Sequence, residues 1–243
     1  MESNYHEKIK NISPEDADFT GKWRPGDIFR AMQKVAEEHV EKLGCGFCTL
    51  REREIAWILT RMELVMERYP SIGETIRIAT WPGTTKHSVY PRYFEFREED
   101  GTLIGRAVSL WVVLDLKNRN MITMEKAGFS IIPEQEHGAC LPFPSAPRAL
   151  NKGKEQLISK IPQYSDLDVN RHVNNTHYID WLCDLFPLER FEANAIRRIL
   201  INYAGEIHAK EELTLVFEED ENMFTLRDCP DGKSHFTILG EWF

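Results

Sequence analysis

The run GDIFRAMQKVAEEHVEKL, Gly26 to Leu43, is a long helical signal, and the pattern that follows it decides the fold. Ile28, Met32, Val35, Ala36 and Leu43 share one face at helical spacing, Asp27 can cap the start, and Gly44 and Gly46 end it. Strand patterns come next. Met62, Leu64 and Met66 alternate with Arg61, Glu63, Val65 and Glu67, while Tyr90, Arg92, Phe94 and Phe96 form the polar-tolerant face of another period-two run. An Asp100-Gly101 hairpin signal then leads into AVSLWVVLDL, which is apolar enough for a central strand.

From Pro133 to Lys154 there are four prolines and little periodicity, which predicts a linker. Beyond it the order repeats. QLISKIP is a short strand candidate, Ile179, Leu182, Cys183 and Phe186 recur at helical spacing, and Pro187 stops that helix. RRILINYAGEI, EELTLVFEE, NMFTLRD and, after a Pro230-Asp231-Gly232 turn, HFTILGEWF are strand-like.

A helix and then antiparallel strands, twice, predicts an α+β protein in which each sheet buries one long helix. The expected units are residues 1–132 and 155–243, joined by a linker over 133–154. GKWRPGDIF and NRHVNNTHY precede the two helices at a separation of roughly 148 residues, which suggests duplication. That spacing lays Lys22, Arg24 and Gly26 over Asn170, His172 and Asn174.

At 243 residues, 42% hydrophobic and 28% charged, the chain can bury a real core. It shows no apolar run long enough to span a bilayer, and MESNYHEKIK lacks the character of a signal or transit peptide, so a cytoplasmic location is expected. A net charge of -9 disfavours a nucleic-acid partner. Five scattered cysteines suit reduced thiols. Cys45-Gly-Phe-Cys48 has no second pair to complete a metal site, and the pair is expected to follow a helix instead of starting one.

Polar chemistry concentrates in DLDVNRHVNNTHYIDWL, Asp166 to Leu182. Asn174 or Asn175 can cap the helix without any further role. Asp168, Asn170 and His172 are left over, and spacing two in extended chain would put them on one face. A carboxylate, an amide and an imidazole beside helix-start N–H groups suit acyl chemistry, because the amides can hold an oxyanion and the His can move a proton. Glu206, at the end of an apolar strand, could act as a base for water, although from spacing alone it resembles any solvated Glu. His177 reads as a packing or capping residue. His172, His177 and Asp168 lack metal-ligand spacing, and neither a metal nor a cofactor is expected.

DLDVNRHVNNTHYIDW resembles the most characteristic segment of the acyl-acyl-carrier-protein (acyl-ACP) thioesterases. WILTRMELVMERYPSIGETIRIATW, YFEFREEDGTLIGRAVSLWVVLDLKNRNM and INYAGEI resemble other blocks of that family, over most of the chain from about His6 to Phe243. The resemblance implies two tandem hotdog domains and hydrolysis of a fatty acyl-ACP thioester in fatty acid biosynthesis. It carries catalytic roles to Asp168, Asn170, His172 and Glu206. Helix-start amides near Val173, Asn174 and Asn175 are then the expected oxyanion donors, and Met32, Trp57, Met62, Leu64 and Met66 candidate acyl-pocket residues in the first domain.

Some members of the family carry Cys directly after the catalytic Glu. Here that position is Ile207, and Cys183 lies on an apolar stripe, so attack by water without a cysteinyl intermediate is expected. The implied partner is acyl carrier protein with its phosphopantetheine-linked acyl chain, met by a basic patch for which Arg148, Lys152, Lys154, Arg197 and Arg198 are candidates. Alternatives are an acyl-CoA thioesterase, a catalytically silent acyl-binding hotdog protein, and a hotdog hydratase, whose pattern differs from DLDVNRHVNN. A monomer or a homodimer is compatible with a tandem pair.

Overall fold

The computed structural model describes residues 4–150, 155–228 and 234–243. Lys152, Lys154, Cys229 and the Pro230-Asp231-Gly232 turn lie outside the described residues. In chain order the first half forms β1 (His6–Asn11), α1 (Pro25–Lys42), α2 (Phe47–Glu52), β2 (Ile55–Met66), β3 (Thr75–Pro82), β4 (Tyr90–Glu98), β5 (Leu103–Asp115) and β6 (Asn120–Ile122). The second half forms β7 (Gln156–Lys160), a 3-10 turn at Tyr164–Asp166, α3 (His177–Cys183), α4 (Leu188–Ala193), β8 (Ile196–Tyr203), β9 (Leu213–Asp220), β10 (Met223–Asp228) and β11 (Phe236–Trp242).

The strands make one 11-stranded antiparallel sheet in the order β1-β3-β4-β5-β2-β8-β11-β10-β9-β7, with β6 also pairing β5. The order β1-β3-β4-β5-β2 recurs as β7-β9-β10-β11-β8, so the two units are repeats that meet at the β2–β8 pair. That seam runs from Arg61 opposite Asn202 to Val65 opposite Arg198. Glu63 is buried there, and its carboxylate accepts from Arg198 Nε at 2.6 Å. One large apolar cluster draws on both units, with Met32, Leu64 and Phe94 from the first and Ile179, Ile201 and Phe236 from the second.

α1 buries Ile28, Met32, Val35 and Ala36 as its spacing predicts, starts with Pro25 in its first turn, and ends before Gly44, whose φ of +71° only glycine adopts cheaply. α3 is much shorter, at 7 residues. A proline ring clashes with the carbonyl four residues back, and four residues before Pro187 is Cys183, where the helix ends. Phe186 reaches the core from the turn that follows.

The structure corrects two expectations and adds to a third. Tyr90, Arg92, Phe94 and Phe96 are all buried, since α1 covers this face of β4 and Arg92 Nη1 lies 3.0 Å from His39 Nδ1. The stretch from Pro133 to Leu150 has neither helix nor strand, but it is a strap as much as a linker. Cys140, Leu141 and Phe143 cover Trp81, Tyr93, Val108 and Leu110, and Trp81 Nε1 donates to Gly138 O at 2.7 Å. Finally, Cys48 lies in the first turn of α2, exposed, while Cys45 is buried before it and burial pushes its thiol pKa up.

Candidate active site

The site grows from a nine-residue loop that the chain builds twice. In the second copy Asp168 N–H donates to His172 O (2.9 Å), Arg171 N–H to Asp168 O (3.0 Å) and Asn174 N–H to Asp166 O (2.8 Å). In the first copy Asp18 N–H donates to Lys22 O (2.9 Å), Gly21 N–H to Asp18 O (3.0 Å) and Arg24 N–H to Asp16 O (2.9 Å). The copies therefore match at a spacing of 150 residues, not 148, as Asp18 against Asp168 shows. Lys22 lies over His172, Trp23 over Val173 and Pro25 over Asn175, two residues from the alignment that sequence spacing suggests.

This register shows what Asp168 does. Its Oδ1 accepts from the N–H groups of Asn170 (2.8 Å) and His172 (3.3 Å), and Asp18 Oδ1 does the same for Thr20 (2.8 Å) and Lys22 (3.4 Å). The carboxylate turns back on its own loop, so Asp168, Asn170 and His172 do not share an extended face. Among the described residues, Asn170's side chain hydrogen-bonds only Asp168, at 3.4 Å from Nδ2 to Oδ2. The loop's left-handed position is Gly21 in the first copy, with φ +78°, but Arg171 in the second, with φ +66°. A non-glycine residue held there costs on the order of 1 kcal/mol, and such strain gathers at functional loops.

A separate loop, residues 204–212, follows β8. Val173 N–H donates to Ile207 O at 2.9 Å, and His172 pairs with His208 in an isolated antiparallel bridge. His172 and Glu206 thereby meet across the gap, Nε2 to Oε2 at 3.6 Å, with side chains 26% and 52% exposed. A solvent-reachable base is thus placed beside an imidazole. His208's ring stands edge-on to His172's, centroids 4.6 Å apart and planes at 85°. Sequence reasoning passed over His208; the available signal was Glu206-x-His208, two side chains at strand spacing on one face.

Of the three candidate oxyanion amides, those of Val173 and Asn174 are already given to carbonyls. Asn175 N–H has no acceptor among the described residues, while its carbonyl is pinned by Tyr203 Oη at 2.8 Å. The matching residue of the first copy is Pro25, which has no N–H. Asn174 acts as the cap, its Oδ1 accepting from Thr176 N (3.0 Å) and Oγ1 (2.9 Å), and α3 begins just after. His177 is engaged elsewhere, with Nδ1 at 3.2 Å from Asp180.

Met32, Met62, Leu64 and Met66 are buried together in the shared core, and Trp57 packs on a neighbouring cluster. Ile207 is fully buried, and burial pushes the Cys183 thiol pKa well up. Of the basic candidates, Arg198 is held by Glu63, Arg197 Nη1 lies 3.5 Å from Glu241, and Arg148 is exposed. No helix among the described residues is long and apolar enough to cross a membrane.

A tandem hotdog protein with one carboxylate–imidazole pair at the second of its two matched loops is the class that fold and site define. Residues 3–132 match the family model of the acyl-ACP thioesterase N-terminal domain and residues 151–236 that of the C-terminal domain. The chain belongs to the acyl-ACP thioesterase family. It is 29% identical over 199 residues to a chloroplastic palmitoyl-acyl carrier protein thioesterase of Gossypium hirsutum, covering 74% of this chain and 46% of the relative. It is likewise 29% identical to a chloroplastic dodecanoyl-[acyl-carrier-protein] hydrolase of Cinnamomum camphora, covering 74% of this chain and 50% of the relative. The chain thus spans about half the length of these curated relatives. The crystal structure of an acyl-ACP thioesterase from Bacteroides thetaiotaomicron superposes with a TM-score of 0.89 at 25% identity, covering 99% of this chain and 98% of that one. A 12:0-ACP thioesterase from Umbellularia californica shares the fold, with a TM-score of 0.81 at 20% identity over 100% of this chain and 98% of that one.

Proposed function

We propose that this chain hydrolyses the thioester of fatty acyl-ACP, giving a free fatty acid and holo-ACP, by direct attack of water. The observation that carries the reading is the His172–Glu206 pair, formed in the second unit and replaced in the first, with the undonated N–H of Asn175 three residues beyond His172.

Glu206 takes a proton from water as the oxygen adds to the thioester carbon. The oxyanion forms against the Asn175 N–H, the one helix-start amide among the three candidates that is not given to a carbonyl. The C–S bond then breaks, and His172, within 3.6 Å of Glu206, passes the proton to the departing thiolate of the phosphopantetheine arm. Asn170 holds the thioester carbonyl or the water, and Asp168 positions both Asn170 and His172 through their amides. No thiol acts as nucleophile, since Ile207 stands beside Glu206 and the Cys183 thiol is held protonated by burial.

In this reading residues 1–132 supply the acyl slot, 133–154 link the units, and 155–243 carry the chemistry. Unbranched Met32, Met62 and Met66 beside Leu64 and Trp57 adapt to a flexible chain better than branched residues would. The acidic carrier docks on Arg148 and Arg197 with Lys152 and Lys154. Arg198 drops out of the patch because Glu63 holds it. One chain already contains the paired units, so a monomer suffices.

The test is thiol release from a panel of acyl-ACPs against matched acyl-CoAs, with the wild type and Glu206→Ala. The expected result is a preference for acyl-ACP and a loss of about 100-fold or more in kcat for the variant, at unchanged circular dichroism. Near-normal hydrolysis by Glu206→Ala would remove Glu206 from the mechanism, and release from no substrate would leave an acyl-binding protein.

A further inference from the structure

His172, Glu206 and His208 each offer a ligand atom, and the three atoms lie within 4.8 Å of one another. The backbone causes this convergence. Directly opposed residues of an antiparallel bridge send their side chains to the same face, and His172 is opposed to His208. Glu206 precedes His208 by two, so alternation along an extended segment returns it to that face. The first copy of the loop is an internal control. The equivalent bridge there pairs Lys22 with Ser71, and Tyr69, two residues before Ser71, is buried with its hydroxyl donated to Ile196 O at 2.8 Å. That copy holds no ligand set.

We infer that His172, Glu206 and His208 form a binding site for a divalent transition-metal ion of the zinc type, and that the ion switches the enzyme off. Two imidazoles and one carboxylate are a donor set that Zn2+ accepts in tetrahedral geometry with a fourth position for water. Zn–N and Zn–O bonds of about 2.0–2.1 Å place tetrahedral ligand atoms about 3.3 Å apart. His172 Nε2 and Glu206 Oε2 are already 3.6 Å apart, so a small rotation of exposed side chains completes the set. The site is reachable, because Glu206 and His208 are exposed and His172 is partly so. Coordination occupies the lone pairs of His172 and Glu206 that proton transfer needs, which is why the bound ion stops turnover. Residue 208 is what distinguishes this arrangement from a bare catalytic pair. The loss of turnover rests on the hydrolase reading; the binding of the metal does not.

The experiment titrates Zn2+ alone into the full chain carrying Cys48→Ser, which removes the exposed thiol of Cys48 as a rival ligand. Calorimetry should show one saturable site, and thioester hydrolysis should fall in parallel with occupancy. Adding His208→Ala should weaken Zn2+ binding by about 10-fold or more and shift inhibition by the same factor, with inhibition read relative to that variant's own metal-free rate. Glu206→Ala, measured by calorimetry alone, should weaken binding as well, so the site can be judged even if no substrate is turned over. Equal Zn2+ affinity with and without His208 would overturn the site. Unchanged or faster hydrolysis at saturating Zn2+ would overturn the switch.

Discussion

Asp168 accepts the N–H groups two and four residues on, and Asp18 accepts the same pair in a loop that contains neither the Asn nor the His. A carboxylate used identically in a loop without the pair is there for the turn, and its effect on chemistry runs through the placement of Asn170 and His172. Asp168→Asn keeps an Oδ1 acceptor, so it should retain hydrolysis to within several-fold, whereas Asp168→Ala frees both amides and should cost about 10-fold or more in kcat. Asp18→Ala should lower stability by about 1–2 kcal/mol, measured by urea denaturation, and leave kcat nearly untouched. Equal damage from Asp168→Asn and Asp168→Ala would make the negative charge itself necessary. The loop was legible in sequence because its contacts are local. Glu206 came from resemblance, since no spacing rule links it to His172, and only the two-residue spacing from Glu206 pointed to His208, because an isolated bridge between distant segments sets it against His172.

Elements were read well where one face is buried and less well where both are. The spacing of α1 predicts its buried face, but β4 carries Arg92 inside the core, which the alternation rule assigns to a polar-tolerant side. What reconciles an arginine with burial is α1 above it. His39 Nδ1 and Thr80 Oγ1 lie 3.0 and 3.2 Å from Arg92 Nη1, and burial lowers the guanidinium pKa to about 10, still cationic near neutrality. His39 pays no charge there, because burial first and the Arg92 cation second push its pKa from 6.5 to about 3. A folded value below the unfolded one means that the unfolded chain takes up a proton which the folded chain refuses. Stability is therefore full above about pH 6.5 and is lost as the pH falls toward 3, with a limiting slope of about 1.4 kcal/mol per pH unit. His39→Gln should flatten this dependence relative to the wild type, read as urea midpoints between pH 7 and pH 4 on the order of one unit apart. Parallel curves for the two proteins would place the acid sensitivity elsewhere. The end of α3 at Cys183 was legible in principle from Pro187, by counting back four residues to the carbonyl its ring excludes.

At the scale of the molecule the question is whether two repeats behave as two bodies. The sheet is continuous through β2 and β8, and the core cluster mixes residues from both halves. Polar contacts cross as well: Arg61 Nε and Nη2 donate to Asn202 Oδ1 at 3.1 and 2.8 Å, and Arg30 of α1 is paired with Asp180 of α3. Glu63 lies at the centre of the seam, 8% exposed, and its Arg198 partner is 31% exposed. Removing one member of a fully buried pair costs about 3–5 kcal/mol, and the partial exposure of Arg198 reduces that here to about 1–2 kcal/mol for Glu63→Gln. Because the lost contact belongs to both units, the effect should be shared between them. Hydrogen exchange followed along a denaturant series should show peptides of β4 and of β11 losing protection at one midpoint, and Glu63→Gln should lower that midpoint equally for both. If β11 opened at a lower denaturant concentration than β4, or if the variant moved only one of them, the catalytic unit would be a separately stable body docked on the first. The pairing of β2 with β8 would then act as an interface, and His172 and Glu206 would keep their geometry without the first unit.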